Sequence, residues 1–127
     1  MAEQRFGTVI NCMDGRVQLP VNEYLRAKYG LDCVDTVTEA GPVAVLSEEN
    51  DSGAAESIRS RVEISVLKHG SGLVAVVAHH DCAGNPVDEA RQLEHLRSAV
   101  RTVQSWAFDV EVKGLWVDDT WTVQEIV

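Results

Sequence analysis

Two short segments concentrate the soft-metal ligands of this chain. Cys12-Met13-Asp14-Gly15-Arg16 offers a thiol, a carboxylate and a guanidinium, and His79-His80-Asp81-Cys82 offers two imidazoles, a carboxylate and a second thiol. Thiolates and imidazole nitrogens suit Zn²⁺, and three protein ligands with one exchangeable position make a catalytic rather than a structural centre. Taken singly, the same residues have plainer readings. A lone Cys at a strand end is usually a small buried hydrophobe, and a lone His in a loop is usually solvated. Two other uses are excluded. A cysteine phosphatase needs an Arg six residues after its nucleophile, where position 18 is Gln. The His-x-Glu and Pro-Cys-x-x-Cys pattern of zinc deaminases is absent.

Each segment follows what reads as a strand. Phe6–Cys12 is a short apolar run closed by the turn-prone Asp14-Gly15, and Leu73–Ala78 is a continuous β-branched run of the kind found where both faces of a sheet are covered. Between them, Pro20–Tyr29 has helical spacing with Gly30 as its stop. Cys33–Thr38 alternates like a strand and closes at Ala40-Gly41-Pro42. Residues 47–56 are acidic and turn-rich and read as a loop, followed by a helix over about Ala54–Lys68 stopped by Gly70. Asn85-Pro86 reads as a helix cap and first residue, with Val87, Ala90, Leu93, Leu96, Val100 and Val103 recurring at helical spacing. Asp109–Val117 and Thr120–Val127, split by Asp118-Asp119, read as a closing hairpin. This order predicts a three-layer α/β fold with a mainly parallel central sheet, strand order 2-1-3-4 and an antiparallel edge strand 5. Strands 1 and 3 would then be neighbours where the winding reverses, so that both segments reach the crevice where such sheets gather ligands.

Length and composition agree with one globular domain over residues 1–127. The 127 residues are 45% hydrophobic and 24% charged, with no repeat or linker. Eleven basic against twenty acidic residues give a net charge of −9, which argues against nucleic acid and anionic membranes as partners. The longest apolar runs are too short to span a bilayer. Met-Ala-Glu-Gln-Arg lacks the apolar centre of a signal peptide, so a cytoplasmic location is expected. An odd cysteine count in such a chain favours thiols or metal ligands over disulfides.

Cys12-x-Asp14-x-Arg16 followed by His79-x-x-Cys82 resembles the zinc-site pair of β-class carbonic anhydrases. The likeness extends to Ala40-Gly41 after strand 2, to the helix Ser57–His69 leading into Gly72–Cys82, and to Val112–Asp119. It departs at Ala83, where Gly is usual, and at Gly15, where Ser is common. The resemblance implies a zinc held by Cys12, His79 and Cys82, with water or Asp14 in the fourth place. It implies an open state in which Asp14 pairs with Arg16 and a closed one in which Asp14 binds the metal. It also implies catalysis by Asp14 and Arg16, a homodimer, and reversible hydration of CO₂ to bicarbonate by zinc-bound hydroxide. Hydrolysis of carbonyl sulfide or carbon disulfide, or a zinc module without turnover, are the alternatives.

Other residues have more than one use. His80 is either a proton-relay candidate or a solvated loop residue. Cys33 is expected to be a packed thiol. Trp106, Phe108, Trp116 and Trp121 would fill the core or, where exposed, make a dimer face. The acidic stretch 47–56 is a solvated surface or a lid.

Overall fold

All seven residues of the strand Leu73–His79 are buried, and the pleat explains why. Val74, Val76 and Ala78 point into one apolar cluster, whereas Leu73, Ala75 and Val77 point into another on the opposite face. The computed structural model describes residues 3–47 and 53–127, and among these this strand is the centre of a three-layer sandwich. Its sheet contains β1 (Phe6–Cys12), β2 (Cys33–Glu39), β3 (Leu73–His79), β4 (Glu111–Val117) and β5 (Val123–Glu125). The order is β2-β1-β3-β4-β5, parallel except for the antiparallel β4–β5 pair. This is the architecture that the alternation of elements predicts.

One face is covered by α1 (Gln18–Tyr29), whose Val21 and Leu25 are fully buried against Val9, Ala75, Val77 and Leu115. The other is covered by α2 (Pro42–Leu46), α3 (Gly53–His69) and α4 (Glu89–Ser105). From these, Leu46, Ile58, Val62, Leu96 and Val100 pack on Ile10, Val74 and Val76. Trp116 belongs to this core, and Trp106 and Phe108 pack edge-to-face on its border.

Several boundaries differ from the sequence reading. A 3-10 turn, Gly15–Val17, runs directly into α1, which therefore starts two residues before Pro20. The missing Pro20 N–H falls among first-turn donors that lack intrahelical partners anyway. The short α2, with Pro42 at its start and Val43 and Leu46 buried, was not anticipated, because five residues are too few to display a period. Residues 53–56 form the first turn of α3 rather than a loop, and the rest of the acidic stretch, 48–52, lies outside the described residues. Asn85-Pro86 does not cap α4. Asp88 does, its carboxylate accepting from the Arg91 N–H at 2.9 Å, while Asn85 is buried and pairs with Gln92. The closing hairpin is also shorter, beginning at Glu111 and returning only over Val123–Glu125. No helix among the described residues is long and apolar enough to cross a membrane.

Candidate metal centre

Parallel pairing of β1 with β3 places Cys12 and His79, the last residues of the two strands, at the same end of the sheet. The turn after β3 then brings back Cys82. The ligand atoms of Cys12, His79 and Cys82 lie within 4.8 Å of one another, and all three residues are buried. The two sulfurs are 3.9 Å apart and are free thiols, far beyond disulfide length. A tetrahedral centre with Zn–S bonds of about 2.3 Å separates its sulfurs by about 3.8 Å, so the spacing fits zinc.

The histidine fits as well. Its Nδ1 lies 2.7 Å from the His80 carbonyl, which can only accept, so Nδ1 carries a proton and, in the neutral ring, Nε2 keeps its lone pair. Nε2 is buried with no hydrogen-bond partner. A buried nitrogen left without a partner is costly, and a metal ion would satisfy it. The second bond fixes ring orientation as in known metal-ligating histidines.

The protonation states lean the same way. The Cys82 thiol beside Cys12 pulls the Cys12 pKa far down despite burial, helped by His79 and by the Gly41 and Asp14 backbone N–H groups. Cys82 is pushed up by the Cys12 sulfur and by burial, against backbone donors at Asn85 and Gly84. The pair thus behaves as one thiolate sharing a proton with one thiol, which a dication would displace. Burial opposes a charge on the His79 ring, but Cys12, the His80 carbonyl and Asp14 raise its pKa overall.

Asp14 stands beside this cluster and is not one of its grouped ligands. Arg16 holds it through Nε at 3.0 and 3.2 Å and through Nη2 at 2.6 Å. The Arg16 side chain lowers the Asp14 pKa to about 2. The structure therefore has the Asp–Arg pairing expected of the open state. Gln18, which the sequence tied to the motif only by proximity, donates its amide to the Cys12 carbonyl at 2.6 Å and to the Asp14 carbonyl at 3.1 Å. It pins the loop that carries both residues.

His80 is exposed, outside the ligand cluster, with its ring edge-on to Trp121. Cys33 is only half-buried at the start of edge strand β2. A cavity of about 360 Å³ opens beside His79, walled by His80, Asp81, Asp88, Glu89 and Trp116 among others. Sequence reasoning missed the grip of Asp81 and Trp121 on Arg16 and the contact between Gly41 and Gly84. The only signal for either was the clustering of glycine and aromatic residues near predicted turns.

Residues 2–127 match the model of a family described as "Putative carbonic anhydrase". A search of curated protein sequences finds no match. Among solved structures, a carbonic anhydrase from Glaciozyma antarctica is similar with a TM-score of 0.63 at 17% identity, covering 98% of this chain and 83% of that one. An apo form of carbon disulfide hydrolase is similar with a TM-score of 0.51 at 16% identity, covering 96% and 78%. A structure from a study of two tetrameric β-carbonic anhydrases of Sordaria macrospora is similar with a TM-score of 0.55 at 12% identity, covering 99% and 82%. At these identities the likeness shows the fold, a β-carbonic-anhydrase-like sheet with helices on both faces.

Proposed function

The chain belongs to the putative carbonic anhydrase family, and we propose that it is a zinc enzyme of β-carbonic anhydrase type that interconverts CO₂ and bicarbonate. The observation that carries this reading is the buried Cys12–His79–Cys82 cluster with an unpartnered Nε2 pointing to a dication. These three residues would hold the zinc, which when bound supplies a Lewis acid that brings the pKa of water toward neutrality. Asp14 and Arg16 are the catalytic pair. With a pKa of about 2, Asp14 is a pure acceptor at working pH. Fixed by Arg16, its carboxylate accepts a hydrogen bond from the attacking oxygen and aims a lone pair at the substrate carbon. In this reading His80 passes protons to solvent, which its exposure beside His79 supports.

Hydrolysis of carbon disulfide or carbonyl sulfide is a second reading, favoured by the likeness to carbon disulfide hydrolase. It uses the same residues on a related linear electrophile. We read residues 1–127 as one domain, cytoplasmic given its free cysteines, and assembled as a homodimer that could build a tetramer of the kind named for the Sordaria macrospora enzymes.

Stopped-flow CO₂ hydration on zinc-loaded protein tests the first reading, with sulfide release from carbon disulfide measured in parallel. Catalysed hydration supports it. Sulfide release without hydration would transfer the activity to the second reading. Neither activity in a protein that holds zinc would leave a zinc module without turnover.

A further inference from the structure

Arg16 is gripped from three sides, and only one of them belongs to its own motif. Asp14 takes Nε and Nη2. From the turn after β3, the Asp81 carboxylate accepts from Nη1 at 3.3 Å and the Asp81 carbonyl accepts from Nη2 at 3.1 Å. From the turn between β4 and β5, Trp121 lays its ring against the guanidinium, 4.4 Å from Cζ to the ring centroid. The same indole lies 6.3 Å from the His79 ring.

Asp81 and Trp121 both have left-handed backbone, with φ of 57° and 59°. A bulky residue rarely adopts that conformation, and it persists where the surroundings over-determine it, most often at functional sites. Here the surroundings are visible. The Asp118 carboxylate accepts from the N–H groups of Thr120 and Thr122, and the Trp121 N–H donates to the Asp118 carbonyl at 3.0 Å. The His80 N–H donates to the Val117 carbonyl at 2.9 Å, tying the two turns together. The fold thus holds an indole against one face of Arg16.

We propose that Trp121 is a positioning residue for the metal centre: by stacking on Arg16 it keeps the guanidinium clasped to Asp14 and so keeps the Asp14 carboxylate out of the Cys12–His79–Cys82 ligand set. The Arg16 side chain is 46% exposed, and an ion pair in that setting holds weakly by itself. A flat indole against one face confines the guanidinium to the plane in which it meets both Asp14 oxygens, and Trp is the aromatic residue that attracts a cation best. Without the indole, only the solvent-exposed Asp14 and Asp81 contacts hold Arg16, so the clasp opens more often and Asp14 is released toward the cluster as a fourth ligand.

The inference rests on the zinc reading, and the full-length protein tests the two separately. Zinc affinity is measured by competition with a chromophoric chelator for wild type, Trp121→Leu, Trp121→Phe, Asp14→Asn and the Asp14→Asn/Trp121→Leu double variant. The Arg16 Nε–Hε resonance is followed in the metal-free proteins. Wild type should show an exchange-protected Hε. Trp121→Leu should lose that protection and bind zinc about fivefold tighter, Trp121→Phe should stay close to wild type, and in the Asp14→Asn background the Leu change should do nothing. Unchanged exchange protection, an unchanged affinity in folded Trp121→Leu, or an equal change in the Asp14→Asn background would overturn the proposal. If Trp121→Leu does not fold, Trp121→Met, which also lacks a ring, takes its place with the same expected and refuting results. Failure of the zinc reading looks different, since wild type itself then takes up no zinc, and the proposal falls with it.

Discussion

Replacing Gly84 by Ala tests what sets the spacing of the two sulfur ligands. A Cβ at position 84 would sit 2.5 Å from the Ala40 carbonyl carbon, 2.6 Å from the Gly41 nitrogen and 2.9 Å from Ala40 Cβ. Ordinary contact begins near 3.4 Å, so the loops must part by about 0.9 Å, the gap between 2.5 and 3.4 Å. The nearest obstructing atoms are backbone and cannot rotate aside. Gly41 is reciprocally constrained: its φ is 59°, and its own Cβ would meet the Gly84 carbonyl at 2.7 Å. The backbone N–H groups of these two loops also lower the pKa values of the sulfurs, Gly41 that of Cys12 and Gly84 that of Cys82. The displacement therefore falls on the 3.9 Å separation of the sulfurs. Overpacking of this kind costs about 1–3 kcal/mol. A cost of about 2 kcal/mol corresponds to a Tm lower by about 8 °C for a chain of this size. Disturbing groups that orient metal ligands costs about 10–100-fold in affinity. Thermal denaturation and chelator competition measure both effects. Gly72→Ala is the control, since nothing lies within 4 Å of its Cβ and its φ is not left-handed; it should be neutral or slightly stabilising. A Gly84→Ala protein with the stability and zinc affinity of Gly72→Ala would refute the reasoning.

Three further outcomes follow from other contacts. Cys12→Ser and Cys82→Ser should each lose bound zinc on metal analysis, because a hydroxyl does not replace a thiolate ligand at neutral pH; full zinc content in both would remove the proposed site. The Asp14 carboxyl carbon should titrate near pH 2 by NMR and return to the ordinary carboxylate range in Arg16→Met, so that the stabilising effect of the clasp is complete above the unfolded-state pKa and fades as pH falls toward 2. Glu125 ties β5 to α1 by accepting from Tyr29 and from Lys28 at 2.9 Å, and these donors lower its pKa although burial raises it. Glu125→Gln should cost about 1 kcal/mol in urea denaturation at pH 7, and the difference from wild type should shrink as pH drops through the acid range.

The sheet order and the meeting of Cys12, His79 and Cys82 were legible because each depends on a local pattern. The unbroken apolar run Leu73–Ala78 can only be a strand covered on both faces, and the two clusters that its alternate side chains enter bear this out. Once Cys12 and His79 end adjacent parallel strands, topology supplies their proximity. What stayed hidden depends on single side chains outweighing a pattern. Asp88 rather than Asn85 caps α4 because Asn85 has a stronger use, buried against Gln92. The helix α2 forms in five residues because Val43 and Leu46 are buried there, and no period can be read from so short a stretch.

The Arg16 clamp was hidden for a different reason. Its parts come from the 3-10 turn after β1, the turn after β3 and the β4–β5 turn, so Arg16 and Trp121 are far apart in sequence and share no spacing. Their meeting depends on two residues in left-handed backbone, a conformation that Asp adopts more readily than most residues but that the identity Trp does not announce. The β4–β5 return is only three residues long on its second strand, too short for its pairing alone to fix a bulky side chain over a neighbouring strand end. The Asp118 carboxylate, accepting three bonds from Thr120 and Thr122, supplies the missing rigidity. The short hairpin that looks like a mere sheet edge is therefore what lays Trp121 against Arg16 beside the Cys12–His79–Cys82 cluster.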